Sequence, residues 1–531
     1  MSIERVIVRN YRVLRSADVR LRHDLNVIVG DNESGKSTLL EAINLALRCQ
    51  INRRPAAYEL HPFLFNTECV AQYISALKGK EGTPPPEILI ELYFADCDAL
   101  AGLKGTNNSE GENQPGISLT IRLDDENYKH EYEDYIADPE AVTSVPVEYY
   151  EVVWQDFSGQ RIKPRTMPVR SSLIDPSNIS DTYAAGRYVV EFTREYLSDK
   201  EQVDLCLSYR KMRDAFRNDV CIARINAELA KEKGTVSDKA LSVAMDMTAR
   251  AGWESAVLPH LDEIPITLAG KGEQSSVKIK LALKAQKAAE IVMVEEPENH
   301  LSHSNLNRLL AHMSENASGK QLIVATHSTF VLNKLGVECV LLFNGQTGIS
   351  INQLSADTAN YFKRLPGHDT LRMILAKRTI LVEGPSDELI VQKAFKAKHG
   401  TLPLEAGIEV ISVYSLAFKR FLEIARALTL DTRVVTDNDE RPDAVKEKYK
   451  EFENDRNIRI CFSTDKSLFT LEAHLVALND LANMNKVLGA SCETKENLLS
   501  HMLVNKTECA LMIFESKEPI ALPQYIEDAI Q

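Results

Sequence analysis

Runs of apolar residues that end in polar residues recur along the chain and predict its elements. Residues 27–29 are apolar, and a glycine-rich loop and the apolar-periodic residues 39–47 follow them, which predicts strand, loop and helix. Residues 87–94 and 117–123 alternate apolar and polar positions, as half-buried strands do. Over residues 178–252 helical spacing replaces these strand patterns. The pattern therefore predicts an α/β protein that contains a helical insertion.

Length and composition narrow the class of protein. At 531 residues the chain exceeds a single core, so roughly two to four domains are expected. Hydrophobic residues make up 44% and charged residues 26%, as in soluble globular proteins, and no apolar run reaches membrane-spanning length. The nine cysteines form no CxxC pair and the N-terminus predicts a strand rather than a signal peptide, so we expect a cytoplasmic protein with reduced thiols. The net charge of −14 argues against uniform coating by nucleic acid but permits a local basic surface.

The glycine-rich loop reads GDNESGKST over residues 30–38, between the predicted strand and helix. This spacing predicts a phosphate-binding loop, whose backbone amides surround phosphate oxygens at a helix N-terminus. Lys36 is expected to contact the β- and γ-phosphates of ATP, and the Ser37 hydroxyl to bind Mg²⁺. The loop residues expected to contact the nucleotide are Gly30, Asn32, Gly35, Lys36, Ser37 and Thr38.

A second acidic strand is expected to complete the nucleotide site. The apolar residues 291–294 precede Glu295 and Glu296, a Walker B pattern in which Glu295 would hold the Mg²⁺ shell and Glu296 would polarise the attacking water. Residues 321–325 form another apolar run, and His327 after it occupies the place of the histidine that senses the γ-phosphate in ABC-type ATPases.

Residues 268–276 lie before the Walker B strand and resemble the signature motif of ABC-type ATPases. Gly270 occupies the position that usually holds the signature serine, so a hydroxyl for the γ-phosphate is either missing or supplied by Ser275. We therefore predict one ABC/SMC-like ATPase domain in two parts, with a helical insertion that serves self-association. The predicted boundaries are 1–164 and 251–359 for the ATPase and 165–250 for the insertion.

Arginines recur in the first two predicted strands, at Arg5, Arg9, Arg12, Arg15, Arg20 and Arg22. Two interpretations stay open. These residues form either a solvated charged face or a basic rim near ATP or DNA.

A second α/β unit, residues 377–531, is predicted after a polar linker at 360–376 that is broken at Pro366-Gly367 and should let the unit shift. Strands and helices alternate in it, and a parallel sheet binds its ligand at the carboxyl ends of its strands. Four acids fall at or near these ends: Glu383, Asp387, Asp437 and Asp439. Because gathered carboxylates repel each other unless a cation neutralises them, and oxygen ligands favour Mg²⁺ or Mn²⁺, we predict a metal site.

The segments VEGPSDE and VTDND are similar to those of Toprim domains. Together with GDNESGKST, VEEPENHLS and ATHS, they resemble the OLD (overcoming lysogenization defect) nucleases, in which an ABC-type ATPase precedes a C-terminal Toprim domain. The resemblance implies that Glu472 is a further metal ligand and that Lys517 is a lysine near the scissile phosphate. It also implies DNA endonuclease or nickase activity, dimerisation through the insertion and a role in bacterial defence against phage. Members act alone, beside a helicase-like protein, or beside a retron reverse transcriptase.

Two other functions were weighed. One is an SMC- or RecF-like ATPase that binds DNA and carries an inactive Toprim domain, against which the full set of acids argues. The other is a topoisomerase or primase, for which the chain lacks room for a strand-passage domain or a zinc module. We therefore predict an ATP-regulated, divalent-metal-dependent DNA endonuclease that forms a homodimer or larger homo-oligomer and has no membrane partner.

Overall fold

The fold is described from a computed structural model of the 531-residue chain. The described residues are all except 32, 53, 80–81, 165, 176–196, 234–237, 246–251, 285–288, 317–318, 344–345, 351–353, 365–368 and 414–416. Among the positions predicted from the sequence, Asn32 lies outside the described residues, as do Pro366-Gly367 and much of the predicted insertion.

The described strands are between two and ten residues long. They are β1 (Ile3–Tyr11), β2 (Leu14–Arg20), β3 (Leu25–Val29), β4 (Gln50–Ile51), β5 (Arg54–Pro55), β6 (Ile88–Phe94), β7 (Lys104–Gly105), β8 (Gln114–Leu123), β9 (Tyr150–Asp156), β10 (Ser171–Ile174), β11 (His260–Leu261), β12 (Ile264–Pro265), β13 (Ile291–Glu295), β14 (Gln321–Ala325), β15 (Val340–Phe343), β16 (Gly348–Ser350), β17 (Arg378–Val382), β18 (Ile408–Ser412), β19 (Thr432–Val435) and β20 (Ile458–Cys461).

The described helices alternate with these strands and dominate the C-terminal part. They are α1 (Lys36–Arg48), α2 (Thr67–Lys78), α3 (Lys129–Ile136), α4 (Asp199–Arg217), α5 (Val220–Lys231), α6 (Trp253–Ala256), α7 (Lys271–Lys284), α8 (His303–Asn316), α9 (Thr329–Leu335), α10 (Ala356–Arg364), α11 (Thr370–Leu375), α12 (Pro385–His399), α13 (Phe418–Leu428), α14 (Pro442–Tyr449), α15 (Leu471–Leu478), α16 (Leu481–Leu488), α17 (Lys495–Val504), α18 (Lys506–Glu515) and α19 (Gln524–Ala529). No described helix is both long enough and apolar enough to cross a membrane.

The elements predicted around both sites are confirmed. The strand–loop–helix of the phosphate-binding loop is β3 and α1, and the Walker B strand is β13. The acids of the C-terminal domain follow β17 and β19. The strand β9 begins at Tyr150, because residues 147–149 form a 3-10 turn.

The chain divides into two compact units. The first contains residues 1–25 and 37–325, and the second contains residues 26–36 and 326–531. In the first unit, an antiparallel sheet has the strand order β2-β1-β6-β8, with β9 and the short β7 also paired to β8. The same unit contains the parallel strands β10, β13 and β14, in which Glu295 lies opposite Ala325.

The second unit contains two parallel arrangements. The phosphate-loop strand β3 pairs in parallel with β15. Separately, β18, β17, β19 and β20 form a four-stranded parallel sheet in that order. Their apolar residues are buried under α12 and the C-terminal helices, with Ile380, Ile390, Leu475 and Ile526 in one core. Apolar runs such as residues 380–382 are expected where helices cover a parallel sheet.

The first described helix of the insertion starts at Asp199, because Ser198 and Glu201 form a cap at its N-terminus. The Ser198 backbone amide donates to a Glu201 carboxylate oxygen at 2.8 Å, and the Glu201 amide donates to the Ser198 hydroxyl in return. This reciprocal pair satisfies two amides that a helix N-terminus leaves without partners. Residues 176–196, which come before this helix in the chain, lie outside the described residues.

The segment predicted as a polar linker differs from that expectation. Residues 360–376 include the end of α10 and all of α11, and the side chains of Phe362, Leu371, Met373 and Ile374 are buried. The described part of this segment is therefore packed within the second unit. The domain boundaries themselves stay a prediction.

Gln321 joins the start of β14 to the N-terminal strands of the first unit. Its amide oxygen accepts from the Ile3 amide at 2.8 Å, and its amide nitrogen donates to the carbonyls of Ile3 and Arg22 at 2.8 and 2.7 Å. The side chain is only 1% exposed. A single buried amide thus satisfies three backbone groups that have no strand partner there.

Replacing Gln321 by leucine should lower the free energy of unfolding by about 1–3 kcal/mol or more, because buried backbone groups lose their partners. Denaturant unfolding of the two proteins measures the difference. Gln72→Leu is the control, since Gln72 is exposed and its bond to Arg15 lies at the surface. Equal losses in both variants would contradict a special role for Gln321.

Candidate functional site

The phosphate-binding loop is shaped by two glycines. A Cβ on Gly30 would lie 2.3 Å from the Phe343 carbonyl oxygen, so only glycine fits against β15. Gly35 has φ +90°, a conformation that L residues rarely adopt. Within the described part of the chain, the Ser34 hydroxyl is buried without a hydrogen-bond partner. The two glycines therefore fix the backbone shape of the loop, and the Ser34 hydroxyl can still form a hydrogen bond.

Lys36 lies over this loop in the second unit. Its ammonium donates to the carbonyl oxygens of Gly30 and Asp31 at 3.0 and 2.8 Å, and its side chain is buried. A buried ammonium that binds two loop carbonyls is available to an incoming phosphate at the same position. The loop geometry therefore fits the triphosphate of a nucleotide, as the GxxxxGKS spacing predicts.

In the first unit, Ser37 and Glu295 are joined as the motifs predict. The Ser37 hydroxyl is hydrogen-bonded to the Glu295 side chain. Burial raises the pKa of Glu295 above its ordinary value, and the bond from Ser37 opposes that rise. A hydroxyl beside a buried carboxylate is the donor pair that an ATP-bound Mg²⁺ uses in this class of site. Thr38 is buried behind them.

Glu296 is held by its backbone and by a neighbouring amide. It has φ +42°, its backbone amide donates to the Ala325 carbonyl at 2.8 Å, and its carboxylate accepts from Asn299 at 2.6 Å. Left-handed backbone at a non-glycine residue is uncommon and often marks a functional position. The side chain is thus fixed at the end of β13, where a water-polarising carboxylate is predicted.

The signature-like segment leads into α7, and its second glycine is required by packing. A Cβ on Gly272 would lie 2.2 Å from the His300 carbonyl oxygen in the turn after Walker B. Gly270 is exposed and open, but Ser275 is only 2% exposed. The structure therefore disfavours the alternative that Ser275 supplies the missing hydroxyl to the γ-phosphate, because the Ser275 side chain is buried within the unit.

The arginines of the first two strands are largely in ion pairs. Arg5 binds Asp18 at 2.7 Å, and the other pairs are Arg12–Glu41, Arg15–Glu68 and Arg22–Asp24. Exposed pairs of this kind contribute little to stability. Of the two open interpretations, the structure favours a solvated face whose charges are mutually compensated.

The carboxylates of the C-terminal domain meet at one edge of the four-stranded sheet. Glu383 follows β17 directly, and its carboxylate accepts from the Thr436 hydroxyl at 2.5 Å and from the Asp437 amide at 3.0 Å. Asp387 lies in the first turn of α12 and accepts from the Gly384 amide at 3.1 Å. Glu472, in the first turn of α15, is 5% exposed. Three different elements thus contribute acids to the same edge.

Their electrostatics show that four of these acids are close together. Burial, then the charges of Glu383 and Glu472, raises the pKa of Asp387 to about 7. Burial, then the charges of Asp387, Glu383 and Glu472, raises the pKa of Asp437 to about 8. Buried like charges each favour the protonated form of the other. The set is therefore Glu383, Asp387, Asp437 and Glu472, and we call it the carboxylate cluster.

Lys506, which the sequence did not single out, lies at this cluster. Its ammonium is 3.5 Å from a Glu472 oxygen, and its charge lowers the pKa values of Asp387 and Asp437. Lys517 is exposed, and no contact among the described residues joins it to the cluster. The structure therefore places Lys506, rather than Lys517, beside these acids, and the role of Lys517 stays a prediction. Only the packing of α18 beside the sheet reveals this, since no local motif surrounds Lys506.

Asp439 occupies a different position from the other predicted acids. It is exposed and has φ +45°, whereas the preceding Asn438 is buried and donates to the carbonyls of Ser463 and Asp465 at 2.9 and 2.7 Å. Among the described contacts, none places Asp439 in the carboxylate cluster. Asn438 instead fixes the loop between β20 and α15, which carries Glu472.

The carboxylate cluster fits a divalent cation by its chemistry. The described residues contain no group of three His, Cys, Asp or Glu side chains already arranged as metal ligands. The buried Glu472 oxygen that lies 3.5 Å from the Lys506 ammonium nevertheless forms no hydrogen bond in the described structure, and the raised pKa values of Asp387 and Asp437 indicate that the negative charge is not fully compensated. An all-oxygen donor set suits Mg²⁺ or Mn²⁺.

Family models match three parts of the chain. "Overcoming lysogenization defect protein-like, TOPRIM domain" matches residues 374–439, "AAA ATPase domain" matches residues 1–137, and a second AAA domain model matches residues 254–333. The first and third lie in the regions of the carboxylate cluster and the Walker B strand, and the second covers the phosphate-binding loop. An AAA ATPase domain supports ATP binding.

Curated relatives match about a fifth of the chain. The DNA replication and repair protein RecF of Psychromonas ingrahamii is 31% identical over 108 residues, which is 19% of this chain and 30% of that protein. RecF of Pasteurella multocida is 32% identical over 108 residues, again 19% of this chain and 30% of that protein. The chain thus spans about a third of the length of the curated relatives it matches.

The solved structures that resemble part of this chain include two SMC head domains. The SMC head domain from Thermotoga maritima has 13% sequence identity and a TM-score of 0.31, and it covers 66% of this chain and 100% of that one. An SMC head bound to the C-winged helix domain of ScpA has 14% identity and a TM-score of 0.35, with 68% and 100% covered.

Without metal, stability should fall as pH rises from about 4 to about 8. In this range folded Asp387 and Asp437 retain protons that the unfolded chain has released, so the folded state binds more protons and loses stability as they leave. Thermal melts at several pH values, with and without Mg²⁺, measure this. Mg²⁺ should stabilise more at pH 8 than at pH 6, because protons compete with the metal.

Asp437→Asn should remove much of this pH dependence, by an amount on the order of a few kcal/mol between the two ends of the range. Asp443→Asn is the control, since Asp443 is an exposed acid on α14 of the same domain. A pH dependence that is identical in the wild type and Asp437→Asn would contradict the assignment of buried charge to the cluster.

Proposed function

We propose that this chain, which has the ATPase–Toprim architecture of the OLD proteins, is an ATP-regulated, divalent-metal-dependent DNA endonuclease. The observation that carries the proposal is the carboxylate cluster at the carboxyl edge of the parallel sheet, with Lys506 beside it. Parallel α/β sheets bind their ligands at this edge. A phosphodiester is the substrate that such an acidic, metal-binding edge suits.

The residues of the cluster divide the work. Glu383, Asp387, Asp437 and Glu472 would hold the metal, which when bound activates water and neutralises charge on the scissile phosphate. Thr436 and the Asp437 amide orient the Glu383 carboxylate by their hydrogen bonds. Lys506 presents a cation at the same edge, where it offsets the negative charge of the phosphate as bonds form and break.

The ATPase residues take separate roles. Lys36 binds the phosphates, and Ser37 with Glu295 holds the nucleotide's Mg²⁺. Glu296 orients the attacking water from its fixed position at the end of β13. His327, in the second unit, senses the γ-phosphate. Gly270 supplies no hydroxyl to a nucleotide held by another copy, so contact through the signature motif is weaker than in ABC-type ATPases that have a serine there.

The proposal extends to assembly and setting. The described insertion helices α4 and α5 expose Val203, Leu207, Phe216 and Ile225, an apolar set that supports self-association into a homodimer or larger homo-oligomer. Defence against phage, alone or beside a helicase-like protein or retron reverse transcriptase, is supported by the resemblance to OLD nucleases.

A second function stays in competition. The RecF matches favour a DNA-binding ATPase in repair whose Toprim domain is inactive. Those matches cover only 19% of this chain, however, and an inactive domain has no need for mutually repelling acids. We therefore rank the nuclease first.

Glu383→Ala and Asp437→Ala should each abolish cleavage of supercoiled plasmid, by about a hundred-fold or more, while ATP binding is retained. Each change removes an acid from a set that holds charge at the transition state. A plasmid assay with Mg²⁺ or Mn²⁺ measures nicked and linear products. Unchanged cleavage by both variants would leave the RecF-like function as the better one.

Lys506→Met should slow cleavage by about ten- to a thousand-fold, and Lys517→Met should not. The first change removes the cation at the cluster, whereas the second removes an exposed charge. The same plasmid assay at saturating metal measures both rates. If Lys517→Met were the slower enzyme, the lysine assignment from the structure would be wrong.

Lys36→Ala should remove ATP binding, and Glu296→Gln should retain binding but slow hydrolysis. The first loses the phosphate-facing cation, and the second keeps its size but loses the carboxylate that orients water. Nucleotide binding and phosphate release are measured separately. Hydrolysis at the wild-type rate by Glu296→Gln would transfer the role of base to Glu295.

A further inference from the structure

The segment before the Toprim sheet is fixed to that domain at one end. The Ser355 hydroxyl, just before α10, donates to Glu423 of α13 at 2.8 Å. The buried ring of Phe362 meets Phe421 edge-on at 5.2 Å, and Arg420 lies over the Tyr361 ring at 4.3 Å. The helix α10 therefore moves with α13 rather than as a free connection.

The helix α11 is fixed to the element that follows His327. The Thr370 hydroxyl donates to the Asn333 side-chain oxygen at 2.6 Å, and both side chains are 0% exposed. Asn333 belongs to α9, which begins two residues after His327. A buried hydrogen bond of this kind is costly to break, because neither group can turn to water instead. Any shift of α9 is thus passed to α11.

The same short helix contacts the strands that carry the acids. Arg372 donates through Nε to Glu409 of β18 at 3.1 Å, and the Thr379 hydroxyl of β17 donates to the Met373 carbonyl at 3.4 Å. The strand β17 ends at Val382, immediately before Glu383. The path from α11 to the carboxylate cluster is therefore a single strand of about five residues with no loop in between.

A cavity of about 470 Å³ lies between these parts of the second unit. Its lining includes Asp31 of the phosphate-binding loop and His327, together with Arg372, Lys377 and Glu409. Close-packed interiors transmit displacement, and a cavity gives room for it. The same cavity is thus lined by His327, which is predicted to sense the γ-phosphate, and by Arg372 and Glu409, which join α11 to the sheet.

We infer that α11 is the coupling element: nucleotide bound at Asp31 and His327 shifts α9 and α11 as one body and so resets β17 and Glu383. This inference rests on the proposed function for its effect on cleavage. It replaces the flexible linker that the sequence predicts by a packed connection, in which Thr370 and Arg372 are positioning residues that act through α9 and β18. ATP acts only by binding two arrangements of this connection with different affinity.

The test compares wild type with Thr370→Val and Arg372→Gln in the full-length protein. Plasmid cleavage with Mg²⁺ is measured without nucleotide and with a non-hydrolysable ATP analogue. Hydrogen exchange of residues 378–388 is measured under the same two conditions. In wild type the analogue should change the cleavage rate by about five-fold to a hundred-fold and change exchange in this segment. Both variants should lose most of the response and keep the nucleotide-free rate.

Two controls separate coupling from damage. Thr370→Ser keeps the hydroxyl and should respond like wild type. Arg426 of α13 forms a comparable ion pair with Asp455. The variant Arg426→Gln removes this pair and should also respond like wild type. Arg372 is partly exposed, so its variant folds even if Thr370→Val does not.

Each outcome decides one point. Full nucleotide response in Thr370→Val and Arg372→Gln overturns the inference, and so does a wild type whose exchange at residues 378–388 ignores the analogue. Wild type that never cleaves DNA overturns the proposed function instead, and the exchange measurements then still decide whether α11 carries the nucleotide signal.

Discussion

Parallel pairing of β17 with β19 is the constraint on which the candidate nuclease site depends. Thr379 lies opposite Thr432 in this pair, so the two strands end at the same edge and deliver Glu383 and Asp437 there together. The Thr436 hydroxyl and the Asp437 amide then bind Glu383 across the gap. Once two acids are fixed in this way, a helix N-terminus and α15 need only bring one acid each. The repulsion that results is a local cost, and a cation is the simplest means of offsetting it.

The sequence predicted what local patterns control. The strand–loop–helix of the phosphate-binding loop, the Walker B strand and the strands before Glu383 and Asp437 all follow from apolar runs that end in glycine or acid. Their register is fixed because both faces of each strand are buried, which leaves few ways to place the polar ends. That is why the sequence alone assigns acids that are far apart in the chain to one site.

What the sequence did not predict depends on long-range packing. Lys506 starts a helix in the C-terminal bundle and reaches Glu472 only through the packing of α18. Asp439 is two residues from Asp437, yet it turns outward because Asn438 between them is buried by its bonds to the 463–465 loop. Ser275 is five residues from the exposed Gly270 but lies on the buried side of α7. Neither spacing nor residue type distinguishes these alternatives.

The division into compact units also changes how an ATPase and a nuclease can share one chain. The unit with the carboxylate cluster includes Lys36 and His327, and it therefore contains groups expected to contact the phosphates. A nucleotide does not have to act on this cluster through a flexible tether. A buried hydrogen bond and an exposed ion pair already join the helix after His327 to the sheet through α11. A small displacement at one end is therefore passed to the other. The length of the connection then matters less than whether its few polar contacts stay formed.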